Sequence, residues 1–386
     1  MPADVAEPMP LFDSRRLRAA MEQAGLDGIV AHSRPNYLYL SGFQSLDFVI
    51  DVSSANYVLI PARDDTPPIA IIPRWESMTL HDRPIWIATK AYAGEYYIKD
   101  EPLLEGKAFA NSWDALAHSL TSSDLARARV GFELDLQPVS THRKILSSFP
   151  AMEIVDASTL LRRLRMVKTD EEVRRIRIAC EIAERATHEA IQEVRLNMTE
   201  KELARSIARK VIEQGASVLY VQLATGAAAG QHLPTDRRIN KGDIIRTDVA
   251  AVFEGYNSDI GRTFSVGKPS REQERIYQVA YKSIQAGLAA IRPGMHAREI
   301  FAECMGVWWD AGFSDVRRHH TGHGIGLEAH EAPVLRPDND TEIEPGMVLA
   351  VEAPYYIYPV GGFAPEDILV VGPDGNTQFT HAPAEL

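Results

Sequence analysis

The chain has 386 residues, 45% hydrophobic and 24% charged, ordinary proportions for a globular protein with room for two cores. Its 41 basic and 53 acidic residues leave a net charge of −12 at pH 7, which argues against a nucleic-acid or anionic-membrane surface. The two cysteines, Cys180 and Cys304, read as buried thiols of a reducing compartment. The first residues show no signal-peptide pattern and no apolar run is long enough to span a bilayer, so a cytoplasmic protein is expected.

In chain order, a helix is expected over 15–24, where Leu17, Ala20, Met21 and Ala24 share one face and Gly25 stops it. Strands are expected at 27–31, 57–60, 69–72, 85–87 and 129–133, with a helix at 113–120. This alternation predicts a smaller α/β domain over residues 1–165. It holds no glycine-rich phosphate loop, and its role is expected to be structural or substrate-gating. Trp75, Tyr96 and Tyr97 read as core or surface aromatics, and the basic run 162–168 as a solvated connector.

From residue 166 the texture changes. Thr169-x-x-Glu172 and Thr199-x-x-Glu202 are capping-box patterns that open two helices, and strand-like segments follow. Ser270-x-x-Gln273 opens a third helix, broken at Pro293-Gly294, and a fourth covers 297–311 before Gly312. Helix, helix and acidic hairpin then recur in the same order, which predicts two related halves within a second domain, 166–386.

Each half ends in a pair of carboxylates. With a turn centred on Phe253-Glu254, Asp248 faces Asp259, their Cβ atoms roughly 4.5–5.5 Å apart, where like charges destabilise a sheet. Glu352 and Glu366 are likewise symmetric about Pro359. Between the hairpins lies His319-His320-Thr321-Gly322-His323-Gly324-Ile325-Gly326. Asp248, Asp259, Glu352, Glu366 and His323 form an oxygen-rich set suited to two divalent ions, Mn²⁺ first and Co²⁺, Zn²⁺ or Fe²⁺ as alternatives. Glycines beside His323 let the backbone come close to such a centre.

These residues carry a resemblance. Asp248, the segment Gly255–Phe264, Gly322-His323-Gly324-Ile325-Gly326, His330-Glu331-Ala332-Pro333, Glu344-Pro345-Gly346-Met347, Glu352 and Glu366-Asp367 resemble metallopeptidase family M24, with the pita-bread fold. The segment Asn36–Phe43 is similar to the N-terminal domain of its creatinase, prolidase and aminopeptidase P branch. The resemblance implies an α+β chain: a pita-bread C-terminal domain with an internal pseudo-twofold repeat, preceded by a creatinase-like α/β domain. It further implies that Asp248 chelates one metal, that Asp259 and Glu366 bridge two, and that His323 and Glu352 complete the second.

By the same resemblance His232, His319 and His330 would contact substrate. His330 would hydrogen-bond the carbonyl oxygen, and Glu352 would carry a proton to the leaving nitrogen. The implied activity is hydrolysis of an amide C–N bond in an Xaa-Pro peptide or another small molecule, by a homodimer without nucleic-acid or membrane partners. In relatives the partner subunit reaches the substrate from the region of 44–54, which here holds Asp47 and Asp51. Many relatives have arginine where this chain has Ala364, followed by Pro365, and threonine where it has Gly261. The first departure favours a non-peptide amide of the creatinase or ectoine hydrolase type as the alternative. A metal-dependent lyase and a silent binding module are the remaining readings, and the intact ligand set argues against the latter.

Overall fold

Residues 8–50, 56–95, 106–230 and 232–386 are described by a computed structural model; Asp51, Tyr96 and Tyr97 lie outside them. Contacts divide the chain into two compact units, Met1–Arg165 and Met166–Leu386.

In the first unit Asp13 accepts the amides of Arg15 and Arg16 and so starts the helix Ser14–Gln23. The sheet runs, among the described residues, in the order Gly106–Phe109, Thr89–Ala93, Ile69–Pro73, Val58–Pro61, Gly28–Ala31, Arg129–Phe132, Glu153–Asp156. The central Gly28–Ala31 is buried throughout, which is why it is a plain apolar run without alternation. It pairs antiparallel with Val58–Pro61 and parallel with Arg129–Phe132. Helix Ser112–Ser122, capped by Asn111, packs on Ile69–Pro73 and Thr89–Ala93.

Two expectations fail here. Residues 85–87 are not a strand; the strand is Thr89–Ala93. Pro84 removes an amide donor just before them. Ile85 and Ile87 are buried nonetheless, and Trp86 donates from Nε1 to the Leu40 carbonyl at 3.0 Å. The basic run is solvated only at Arg162 and Arg163. Most of it lies in helix Ser158–Met166, where Arg165 is buried and donates to Asn36 Oδ1 at 3.0 Å, while Lys168 is buried in the second unit. Trp75 lies at the surface, its Nε1 3.3 Å from Asp47 Oδ1.

In the second unit all three expected capping boxes form, at Thr169, Thr199 and Ser270, with both reciprocal hydrogen bonds present. They open the helices Asp170–Ile191, Glu200–Glu213 and Arg271–Ala290; the fourth helix is Ala297–Asp310. The first pair lies against a sheet of Ser217–Thr225, Ile244–Phe253, Tyr256–Asn257 and Ile260–Ser265. The second pair belongs to a core formed with Val348–Glu352, Gly361–Phe363 and Glu366–Val370. Helix pair and sheet therefore occur twice, as the element order predicts. The two sheets are stitched together: Asn257 donates from its backbone and from Nδ2 to the Gly326 carbonyl at 2.8 and 2.9 Å. Ala364 N also donates to Thr263 Oγ1 at 2.9 Å.

The two acidic hairpins differ in how well their registers were anticipated. Glu352 pairs with Glu366, and Tyr355–Ile357 with Gly361–Phe363, in the expected symmetry about Pro359. In the first hairpin the turn residues are Glu254 and Gly255, with φ of 47° and 88°, so Phe253 faces Tyr256. A two-residue turn with both φ positive follows the natural strand twist, and it wins over a turn at Phe253. Asp248 consequently faces Gly261, and Asp259 sits in the break between Tyr256–Asn257 and Ile260–Ser265. The slip is two residues, so the side chains stay on the same face.

Candidate metal centre

Because of that preserved face, Asp248 and Asp259 still converge. One ligand oxygen from each of Asp248, Asp259 and Glu366 lies within 4.8 Å of the others. A second set, on the same limit, joins Asp259 to His323 and His330. Asp259 is common to both. Glu366 can approach because Gly261 has no side chain: a Cβ there would stand 2.5 Å from the Ala364 carbonyl oxygen and 3.0 Å from Glu366 Cβ. Arg262 holds the same segment from behind, donating from Nη1 to the Glu366 carbonyl at 2.5 Å and pairing through Nη2 with Asp367 at 3.2 Å and with Glu184.

His323 is oriented by its own strand. Its Nδ1 lies 3.0 Å from the Gly324 carbonyl, which places the proton on Nδ1 and leaves the Nε2 lone pair facing Asp259. That Nε2 is buried, has no hydrogen-bond partner among the described residues, and is 3.8 Å from Asp259 Oδ2. Asp248 Oδ1 is buried and unpartnered in the same way. Asp259 Oδ1 accepts from Tyr220 Oη at 2.7 Å, and Oδ2 lies 3.4 Å from His330 Nε2. The His330 ring stacks on His323 with centroids 3.7 Å apart, and its side chain is 59% exposed.

The other expected residues fall nearby in different attitudes. Glu352 lies outside both close sets; its Oε1 is 3.2 Å from His320 Nδ1 and its Oε2 is 3.7 Å from Arg318 Nη2. His320 is buried against Glu352, while His319 is exposed and meets the His320 ring edge-on at 4.2 Å. His232 is held by Gln222, with Nδ1 2.6 Å from Oε1, and Arg246 Nη2 stands 3.4 Å from the same nitrogen.

Tyr220, Gln222, Arg246, Arg318 and His320 were not anticipated. Arg246 could be found by period two, since it precedes Asp248 by two on one strand. Gln222 pairs directly with Asp248 from Ser217–Thr225. Arg318 and His320 stand in an irregular segment where no periodicity applies.

Electrostatics shows what this arrangement needs. Burial, followed by the charge of Asp259, pushes the Asp248 and Glu366 carboxyls well above the usual range, and burial raises Glu352 too. Burial also acts upward on Asp259, yet the hydrogen bond from His330 and the charge of His323 hold it below its ordinary value. Burial lowers His323 to about 4 and His320 to about 3, keeping both neutral and able to ligate. Like charges crowded at low dielectric, with two orphaned donor atoms facing inward, fit divalent cations with oxygen and imidazole ligands.

Both parts of the chain match known protein families. Residues 174–373 match metallopeptidase family M24, and residues 14–167 match the creatinase/prolidase N-terminal domain. The probable dipeptidase PepE of Mycobacterium tuberculosis is 30% identical over 373 residues, covering 95% of this chain and 93% of that one. The Xaa-Pro dipeptidase of Pyrococcus horikoshii is 26% identical over 371 residues, covering 95% and 96%. Among solved structures, the Xaa-Pro dipeptidase from Bacillus anthracis superposes with a TM-score of 0.81 at 28% identity, covering 96% of this chain and 98% of that one. By these matches the chain is a metallohydrolase belonging to metallopeptidase family M24, in its creatinase and prolidase branch.

Proposed function

We propose that the chain is a dinuclear amidohydrolase acting on Xaa-Pro dipeptides. The observation that carries this is the sharing of Asp259 between two ligand sets, one rich in carboxylates and one in imidazoles. Asp248, Asp259 and Glu366 would hold one ion, and Asp259, Glu366 and His323 a second, with Glu352 turning in from beside His320. When bound, the two ions supply Lewis-acid polarisation of a carbonyl and water of lowered pKa. Mn²⁺ suits the oxygen-rich donors, and Co²⁺, Zn²⁺ and Fe²⁺ are alternatives.

The chain's own groups do the rest. His330 is exposed enough to meet a substrate, and a ring N–H of it would donate to an oxygen gaining charge. His232 is kept neutral by burial and by the Arg246 charge, and its ring contacts the scissile region. Glu352 would take a proton at a carboxylate oxygen and deliver it to the leaving nitrogen. His319, at the surface beside His320, borders the substrate. The reading includes a cytoplasmic homodimer with short-peptide substrates; no helix among the described residues is long and apolar enough to cross a membrane.

The relatives named as Xaa-Pro dipeptidases support the peptide substrate. Ala364, in place of the arginine common in relatives, favours a second reading, hydrolysis of a small non-peptide amide. Metal analysis with a screen of Xaa-Pro dipeptides decides. About two bound ions with turnover of a dipeptide supports the first reading. Two ions without turnover of any dipeptide gives the second, and no bound metal removes both.

A further inference from the structure

His232 rides on a stretch of chain fastened at both ends by one side chain. Glu200, the first residue of helix Glu200–Glu213, is fully buried. Its Oε1 accepts from Thr225 N and Oγ1, both at 2.8 Å, and its Oε2 from Thr235 N at 2.9 Å and Oγ1 at 2.6 Å. Thr225 ends the strand Ser217–Thr225 and Thr235 stands where the chain returns, so His232 lies between the two anchors. The return limb is pinned again at the helix start, where Glu200 N donates to the Arg237 carbonyl and Lys201 N to that of Thr235, each at 3.1 Å. These are amides that a helix cannot satisfy by itself. Arg237 completes the base: it donates from Nη1 to Thr225 Oγ1, from its amide to Thr235 Oγ1 at 3.1 Å, and grips Asp243 at 2.7 and 2.9 Å.

The residue type follows from the donors. A carboxylate accepts four hydrogen bonds, two on each oxygen, whereas an amide would turn its NH₂ toward one pair of donors. Glu202, not Glu200, serves the capping box of this helix. Burying a charge away from water is costly, and a fold that needed only filled space would be served by an apolar side chain. What the four bonds fix is the separation of the strand end from the return limb. Between these, the His232 carbonyl accepts from Leu223 N at 3.2 Å and its Nδ1 lies 2.6 Å from Gln222 Oε1. Gln222 pairs with Asp248 across the sheet, so the base of the loop sets where the ring stands against the carboxylates.

We infer that Glu200 is a positioning residue: by tying Thr225 to Thr235 it holds the His232 ring in place beside the carboxylate cluster, without touching substrate itself. Its effect on turnover rests on the role given to His232 above.

The test joins a ring signal to a mutant cycle. With histidines labelled at ring carbon, the His232 resonance of the metal-free protein is identified by its loss in His232→Ala. Glu200→Gln and the milder Thr235→Val should shift or broaden it, Thr235→Ser should restore it, and the His296 resonance should stay in place. A His232 resonance unmoved in both Glu200→Gln and Thr235→Val overturns the inference. On the Mn²⁺-loaded protein, each of these two variants should lower kcat/KM for Ala-Pro about 10- to 100-fold with metal content unchanged. In a His232→Ala background the same changes should cost less than about twofold. An equal fall in both backgrounds marks a merely structural role and also overturns the inference. If Ala-Pro is not turned over at all but the ring signal moves as expected, the dipeptidase reading falls and the inference stands.

Discussion

Gly261→Ala measures how much the centre depends on one missing side chain. The added Cβ would lie 2.5 Å from the Ala364 carbonyl oxygen, 3.0 Å from Glu366 Cβ and 3.2 Å from Glu366 Oε2. Carbon and carbonyl oxygen settle at about 3.3 Å, so the 364–366 segment must retreat by about 0.8 Å. It cannot move freely, because Arg262 grips the Glu366 carbonyl and Thr263 accepts the Ala364 amide. Ligand constellations tolerate displacements of about 0.5 Å, so Glu366 should leave its place beside Asp248 and Asp259. Affinity for Mn²⁺ is expected to fall about 10- to 100-fold. Overpacking should also cost the metal-free protein about 1–3 kcal/mol, or roughly 2–4 °C of melting temperature per kcal/mol. Calorimetric Mn²⁺ titration and melting in chelator check the two effects separately. Mn²⁺ binding by Gly261→Ala within about twofold of wild type, with melting within about a degree of it, would refute a role for close approach at Gly261. Gly261→Thr, with a branched Cβ, should do more damage.

Other expectations concern separate parts of the same unit. Under the proposed two-metal centre, Asp259→Asn should lose both ions because Asp259 is common to both close sets. Glu352→Gln should keep the ion held by Asp248, Asp259 and Glu366 and weaken the second, while turnover falls about 10²- to 10⁴-fold; equal loss of both ions in the two variants, by elemental analysis, would contradict this. Lys168→Met breaks a buried pair with Glu331 of 3.0 Å and should cost about 3–5 kcal/mol in chemical denaturation, with the double change Lys168→Met, Glu331→Met costing less. Burial raises the Glu172 carboxyl from 4.5 to about 7. The folded state therefore holds this proton where the unfolded state has lost it, and stability from Glu172 is full below pH 4.5 and declines as pH rises to about 7. Glu172→Gln keeps the capping box and should flatten that part of the pH–stability curve in the metal-free protein; an unchanged slope would remove Glu172 as its source.

The sequence was most informative where chemistry recurs at short range. Capping boxes at Thr169, Thr199 and Ser270 are local, three residues long, and form as expected. Residues 85–87 misled because an apolar triplet satisfies a strand and a buried irregular turn equally well. The cations of 162–168 misled for the opposite reason. Arg165 and Lys168 are paid for by Asn36 and Glu331, partners 129 and 163 residues away in the chain, and nothing nearby announces them.

The two hairpins show how a reading can miss a register and still find a site. Strand chemistry has period two, so a slip of two residues moves Asp259 from opposite Asp248 to its diagonal while leaving both carboxylates on one face. A slip of one would have sent Asp259 to the far side and dissolved the cluster. The turn Glu254-Gly255 makes this concrete: moving the turn by one residue displaces each pairing by two, so any whole-residue shift of the turn preserves the face. What such a shift changes is the residue left opposite. Here it brings Gly261 to face Asp248, and the gap this leaves is filled by the Ala364 carbonyl and Glu366. The side chain missing from Gly261 makes room for the backbone carbonyl of residue 364, and so lets the second hairpin come close against the first.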